Sequence, residues 1–379
     1  MTMLDTELAG LGQRVLVLQG GGALGAYQAG VYQALHEAGV EPDWVIGTSI
    51  GAINAALIAG APRGERLDRL RAFWKRVENG AGLGNSLPAS MAMAMRGMMA
   101  VAQGVPNFYR PNPAAFLSLQ TQLGPEGASY YSVDPLARTL SELVDFDQVR
   151  DGGMRLTVGA ANVATSEMRY FDSRAMPLEL RHILASGALP PAFPAVRIDG
   201  ELYWDGGIIS NTPVEVVFDD DPRRDSVVFT VHVWNPHGPE PGTMWEVMNR
   251  QKDVTYSSRA ASHIRRQRQL HKMRHIIAEL SRMVPAGAPG DNRLREMASY
   301  GCLTRMHVIR LLAPALPHED HSKDVDFSPD GIRQRWDAGY RHTCDTLERA
   351  PWREPADPLE GFILHEACGG AMVETAAAA

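Results

Sequence analysis

Ser49 stands at the centre of Gly47-Thr48-Ser49-Ile50-Gly51. An apolar pair, Val45-Ile46, precedes the motif, and a run of small and apolar residues (52–59) follows it. A serine at a sharp strand-to-helix turn has its hydroxyl lifted clear of the sheet. The flanking glycines let the backbone make the turn without clashes. The helix N-terminus beside it offers unpaired N–H groups and the positive end of a dipole, which suit an oxyanion. That arrangement fits nucleophilic attack on a carbonyl, but five residues are a weak pattern alone.

Two other segments carry chemistry. Upstream, the apolar run 14–19 ends in Gly20-Gly21-Gly22 and leads into a helical period through Leu24, Tyr27, Val31 and Leu35. Three glycines between a strand and a helix expose several backbone N–H groups at one point. Such a nest binds a phosphate or the oxyanion of a tetrahedral intermediate. Gly20, Gly22 and Gly25 also satisfy a dinucleotide fingerprint, which requires an acid at the end of the second strand. Here Glu41 and Asp43 precede that strand, and its far end carries Gly47-Thr48-Ser49, so the dinucleotide reading is disfavoured. Downstream, Asp205-Gly206-Gly207 closes a short strand, and Asp151-Gly152-Gly153 repeats the tripeptide between a helix and a strand. Ligands of open α/β sheets gather outside the carboxyl ends of strands. Asp151 starts its strand and reads as a turn; Asp205 ends one and is the candidate.

In order, Gly20-Gly21-Gly22, Gly47-Thr48-Ser49-Ile50-Gly51, residues 186–194, and Asp205-Gly206-Gly207 with Asn211 and Pro213 resemble the patatin-like phospholipases. The resemblance spans residues 12–235. It implies a three-layer α/β/α fold with a mostly parallel central sheet, and hydrolysis of lipid esters by a Ser–Asp dyad without a catalytic histidine. On that mapping Ser49 is the nucleophile, Asp205 its proton acceptor, and Gly20, Gly21 and Gly22 supply oxyanion N–H groups. Gly47, Gly51, Gly206 and Gly207 support the motifs. No metal or organic cofactor is implied. Leu24 stands where many members carry Lys or Arg. An ordinary aspartate is a poor base near neutral pH, and burial beside Leu202, Tyr203 and Trp204 is expected to raise its pKa.

The elements that must position these residues follow from the rest of the chain. Its 379 residues suffice for a full core, and a net charge of −7 disfavours nucleic acid as a partner. Cys302, Cys344 and Cys368 form no paired pattern and read as reduced thiols of a cytoplasmic protein. No signal-like or membrane-spanning stretch is present, so lipid is expected to be met from the surface, peripherally. We expect a catalytic region over 12–235 and a mainly helical C-terminal region over 244–350, including a long polar helix over 244–283. The C-terminal third resembles an appendage found on one bacterial branch of the family. A loose tail is expected over 351–379, and one helix over 135–149. Protein partners are not legible.

Met91, Met95, Met98 and Met99 fall on one helical face. They read either as core or as a mobile lid and interfacial contact. The basic stretch from Arg259 to Arg274 reads as a solvated helix face, with an anionic membrane surface as its alternative. His232 and His307 read as core histidines, and no histidine has metal-ligand spacing. The functional expectation is a serine acyl hydrolase acting on lipid esters. Its alternatives are a thioesterase or storage-polyester depolymerase on the same dyad, a Ser–His–acid hydrolase, and a non-catalytic lipid- or granule-surface protein.

Overall fold

The continuous apolar runs of the sequence form strands buried on both faces, as a parallel sheet covered by helices requires. A computed structural model describes residues 2–79, 89–118, 120–284, 291–316, 319–357 and 360–367. The strands are β1 (Gln13–Leu18), β2 (Trp44–Thr48), β3 (Arg110–Pro111), β4 (Tyr131–Ser132), β5 (Arg155–Asn162), β6 (Met168–Asp172), β7 (Val196–Ile198), β8 (Glu201–Asp205), β9 (Ser226–His232), β10 (Met306–Leu312) and β11 (Phe362–Ala367). The helices are α1 (Met3–Leu11), α2 (Ala26–Glu37), α3 (Ile50–Ala59), α4 (Arg66–Arg76), α5 (Ala89–Gln103), α6 (Asp134–Leu143), α7 (Phe146–Asp151), α8 (Leu180–Ser186), α9 (Glu215–Phe218), α10 (Met244–Met283), α11 (Asp291–Ser299) and α12 (Pro329–Arg349).

The sheet runs β11-β10-β9-β1-β2-β5-β8-β7, with β6 also on β5. Neighbours from β11 to β5 are parallel. Side chains alternate between the two layers. Leu16, Leu18 and Val45 join the core beneath α2, α3 and α4, while Val15, Val17, Trp44 and Ile46 pack with Val217 and Phe218 of α9 and Ile264 of α10. The expected three-layer α/β/α architecture with a mostly parallel sheet is therefore present.

β5 brings the two candidate residues together. Along one edge it pairs in parallel with β2 as far as Thr48↔Gly159, and then antiparallel with β8 from Ala160↔Asp205. Its other edge is taken by β6. β2 and β8 thus meet end to end beside Gly159 and Ala160. Ser49 follows the last residue of β2, and Asp205 is the last residue of β8. The strand-end argument for Asp205 leaves out one geometric step. Because β8 is antiparallel, its carboxyl end reaches that of β2 only by this shared edge.

Two expectations change. The helix over 135–149 is two helices: Asp145 accepts from the N–H groups of Asp147 and Gln148 and so caps a new start at α7. The residues after Pro351 are not all loose, since β11 pairs with β10 along its length and Trp352 and Phe362 are buried. Short apolar content within Pro-, Gly- and Ala-rich sequence concealed this strand; residues 368–379, with Cys368, lie outside the described residues. The C-terminal region is mainly helical, through α10, α11 and α12, and β10 with β11 extends the central sheet. Its helix α12 lies against α2 at backbone distance: a Cβ on Gly30 would stand 1.9 Å from the Trp336 carbonyl oxygen, and one on Gly339 2.0 Å from that of Tyr27.

The long polar helix forms as α10, opened by a capping box of Thr243 and Glu246. Arg265, Arg266, Arg268 and Lys272 are exposed on it, as a solvated face requires; the side chain of Arg259 lies outside the described residues. No helix among the described residues is long and apolar enough to cross a membrane.

Candidate active site

Ser49 lies between β2 and α3 with φ 57° and ψ −126°, a conformation that costs a non-glycine residue on the order of 1–3 kcal/mol. The surroundings hold it there. Its N–H donates to the carbonyl oxygen and Oγ of Ser186, 3.1 Å from each, and the Ser186 hydroxyl donates to the Gly159 carbonyl at 2.7 Å. The glycines of the motif are steric necessities. A Cβ on Gly47 would stand 2.3 Å from the Gly51 backbone, and one on Gly51 2.2 Å from the Leu18 carbonyl oxygen. All ten residues of α3 are buried, which explains why the helix is apolar on every side.

Asp205 is 2% exposed. Its N–H donates to the Ala188 carbonyl at 2.9 Å, and its Oδ1 accepts from the Gly207 N–H at 2.7 Å. The Ser49 side chain acts on the same carboxylate, favouring its ionised form, and both residues line one cavity. Burial pushes the carboxyl up to about 6, against the opposing pull of Ser49 and of the Gly207 hydrogen bond. Gly206 and Gly207 allow the close turn: Cβ atoms there would lie 2.5 Å from the Gly159 carbonyl oxygen and 2.8 Å from Asn211 Oδ1. Asp151, the other Asp-Gly-Gly aspartate, is an exposed residue at the end of α7 beside Arg150.

The glycine loop lies against the serine. An ideal Cβ on Gly20 would stand 3.1 Å from Ser49 Cβ and 2.3 Å from Asn211 Oδ1. The loop's N–H groups are not equivalent. That of Gly20 donates to the Asn211 carbonyl at 3.1 Å, and that of Ala23 to the Asp324 carbonyl at 2.8 Å. The N–H groups of Gly21 and Gly22 have no such partner among the described residues, so they are the ones available to an oxyanion. The Gly20 carbonyl accepts from Trp234 Nε1 at 2.7 Å and Asn211 Nδ2 at 3.1 Å. Gln19 holds the next strand end, accepting from the Val233 and Trp234 N–H groups and donating to Thr212 Oγ1.

A cavity of about 290 Å³ opens in front of these groups. Its walls include Ile53, Phe108, Leu136, Leu184, Phe193 and Phe327, and its described lining contains no lysine, arginine or histidine. It is an apolar slot ending at a hydroxyl, a carboxylate and free N–H groups, which is the shape an acyl ester needs.

A family model for patatin-like phospholipases matches residues 16–218, more than half of the chain. The chain belongs to the patatin-like phospholipase family. A second model, for patatin phospholipase, matches residues 254–359, so the C-terminal region is itself a recognised part of such proteins. Lysophospholipase nte1 of Aspergillus terreus is 28% identical over 258 residues, which are 62% of this chain and 14% of that protein. The patatin-like phospholipase domain-containing protein ZK370.4 of Caenorhabditis elegans is 27% identical over 203 residues, 53% of this chain and 12% of its own length. The chain thus spans about one seventh of the relatives it matches. A solved structure, VipD from Legionella pneumophila, is 16% identical, covering 89% of this chain and 67% of that one, with a TM-score of 0.38.

Within the family pattern, the place of the usual cation is filled by Leu24, which is buried. Trp234, Asn211 and Asp324 all touch the glycine loop, and the sequence marked only Asn211, through the motif. Trp234 carried the weak signal of an indole at a strand end; Asp324 carried none. His307 Nδ1 and His365 Nε2 are hydrogen-bonded at 3.1 Å, as a core pair. His232 departs from the expected satisfied histidine: Nε2 meets no partner among the described residues, and burial holds its pKa well below the usual value. His271 and His275 do share a face, both Nε2 atoms bonding the Thr304 carbonyl. Among the described residues no acid, histidine and cysteine group has the makings of a metal site.

Proposed function

We propose that the protein is a serine acyl hydrolase that cleaves lipid esters through Ser49 and Asp205. Ser49 attacks the ester carbonyl as its proton passes to Asp205, and the Gly21 and Gly22 N–H groups receive the oxyanion. The leaving alcohol takes the proton, and water, deprotonated by Asp205, releases the acid. The carrying observation is a serine in a strained elbow that shares one cavity with a buried carboxylate, whose pKa is raised towards neutrality. That shift turns a weak base into a useful one. Family membership and a relative named lysophospholipase support the lipid ester as substrate. The size of the cavity favours one acyl chain, as in a lysophospholipid or other monoacyl ester, over a bulky polyester strand. Fluorophosphonate labelling tests the reading: wild type is labelled at Ser49, Ser49→Ala is not, and an inert wild type overturns it.

The same reading places the protein at lipid surfaces, as a peripheral protein of the cytoplasm. The interfacial reading of the methionine face is supported by Met95, 39% exposed, and Met98, 66% exposed, with Met99 half-buried and Gly97 and Ala100 on the opposite side of α5 buried. The side chain of Met91 lies outside the described residues. Val101, 55% exposed, also lines the cavity. Met244, Trp245 and Met248 at the start of α10 are exposed as well. Both groups flank one loop, since Gly97 lies against Ser322 and the Trp245 ring against His321. An apolar rim beside the cavity is suited to interfacial contact.

A further inference from the structure

Two identical dipeptides, Lys252-Asp253 on α10 and Lys323-Asp324 on the loop before α12, pair crosswise. Lys252 Nζ donates to Asp324 Oδ1 at 2.7 Å, and Lys323 Nζ donates to both oxygens of Asp253 at 2.8 and 2.9 Å. The inner pair is buried, with side chains 6% and 9% exposed; the outer is partly open, at 30% and 22%. Lys252 also donates to the His321 carbonyl at 2.7 Å, and Asp253 Oδ1 accepts from the Asn235 N–H.

This clasp ends on the glycine loop from both sides. Asp324 of the outer pair receives the Ala23 N–H on its carbonyl oxygen, and the same oxygen would lie 2.2 Å from a Cβ on Gly22. Lys323 of the inner pair sits 5.4 Å from the centre of the Trp234 ring, and Trp234 Nε1 holds the Gly20 carbonyl. One end of the glycine loop is thus held directly by Asp324 and the other by Trp234, against whose ring the neighbouring Lys323 lies, while the Gly21 and Gly22 N–H groups have no partner among the described residues. Neighbouring Val325 and Phe327 form part of the cavity wall. Each lysine is neutralised by its aspartate, so the clasp adds no net charge to replace the cation absent at Leu24.

We propose that the Lys252–Asp324 and Lys323–Asp253 clasp positions the oxyanion N–H groups of Gly21 and Gly22, so that the C-terminal region completes the active site. The four residues are positioning residues, acting through Asp324 and Trp234. The proposal rests on the acyl-hydrolase reading for its catalytic consequence. It goes beyond that reading by making residues outside the 16–218 match part of the machinery.

The test uses the full chain with p-nitrophenyl butyrate and amide exchange. Lys252→Met breaks the outer, partly open pair, and Asp253→Leu with Lys323→Met replaces the buried pair by apolar groups, avoiding an orphaned charge. Loss of alignment in an active site on the order of 1 Å costs roughly 100-fold in rate. We expect kcat to fall ~10- to 100-fold with KM within about twofold, because binding of the acyl chain is untouched. The acid limb set by Asp205 should stay in place. Exchange at the Ala23 amide should speed up by at least about tenfold as its acceptor is released. Lys252→Asp with Asp324→Lys, which restores the outer bridge with reversed sign, should recover kcat and protection. Folded variants with kcat within about twofold of wild type and unchanged Ala23 exchange overturn the proposal. Should the inner double variant fail to fold, the outer pair and its reversal decide alone. An inert wild type that fluorophosphonate does not label overturns the hydrolase reading instead, and the Ala23 exchange still decides whether the clasp holds the loop.

Discussion

Replacing Asp205 with asparagine should abolish turnover and at the same time stabilise the protein, and the two effects have one cause. The carboxyl titrates at about 6 in the folded chain against an ordinary 3.8. Each pH unit of that difference is worth about 1.4 kcal/mol, so holding the ionised group buried costs about 3 kcal/mol of folding stability above pH 6. The sign follows from proton binding. Between about pH 4 and pH 6 the folded state binds the proton more tightly than the unfolded chain, so stability falls as pH rises through that window and stays lower above it. Asparagine keeps an oxygen for the Gly207 N–H and carries no charge to desolvate. Asp205→Asn should therefore gain up to about 3 kcal/mol at pH 8, seen as a higher denaturant midpoint, and the gain should vanish near pH 4. Activity should fall by several orders of magnitude, since an amide cannot take the serine proton. In wild type, kcat/KM should rise with pH through about 6 as Asp205 ionises. A variant that is less stable than wild type at pH 8 would refute the burial argument, and one that keeps most of its turnover would refute the base assignment.

Ser49→Ala should lose several orders of magnitude in esterase rate while remaining folded by circular dichroism; retained turnover would remove the elbow from the mechanism. No histidine lines the cavity among the described residues, so no single His→Ala change should lower turnover by the ~10⁴-fold expected of a lost triad partner. Gly22 has φ +56° and an Asp324 oxygen where a Cβ would stand; Gly22→Ala should lower stability by about 1–3 kcal/mol and reduce kcat, measured by denaturant melts and initial rates. Met95→Asp with Met98→Asp should leave the melting temperature nearly unchanged, because both side chains are exposed. It should weaken binding to lipid vesicles and activity on aggregated lipid, while short soluble esters are still cleaved. A large drop in melting temperature would return this face to the core.

Asp151 and Asp205 mark what separates a motif from a site. Both are followed by two glycines, and only their strand context distinguishes them in the sequence. The actual discriminator is burial at the β2–β8 junction, which rests on two non-local pairings, Thr48↔Gly159 and Ala160↔Asp205. The methionine face was legible as a periodicity. Which way it points was not, because core and interface want the same residue types at the same spacing. The strand β11 was missed because a six-residue edge strand has almost no local signal and owes its form to β10 beside it.

By itself the sequence determined the alternation of buried strands and helices, the elbow at Ser49, the glycine loop and the strand-end position of Asp205. Those features are local: apolar runs, glycines where no Cβ fits, and an acid at a strand end are each specified within a few residues. Only the tertiary structure decided that Ser49 and Asp205 meet at one cavity, how deeply that carboxyl is buried, which loop N–H groups lack a partner among the described residues, and the crosswise pairing of Lys252, Asp253, Lys323 and Asp324. These depend on distance and desolvation between segments far apart in the chain, and residue order alone does not encode either quantity.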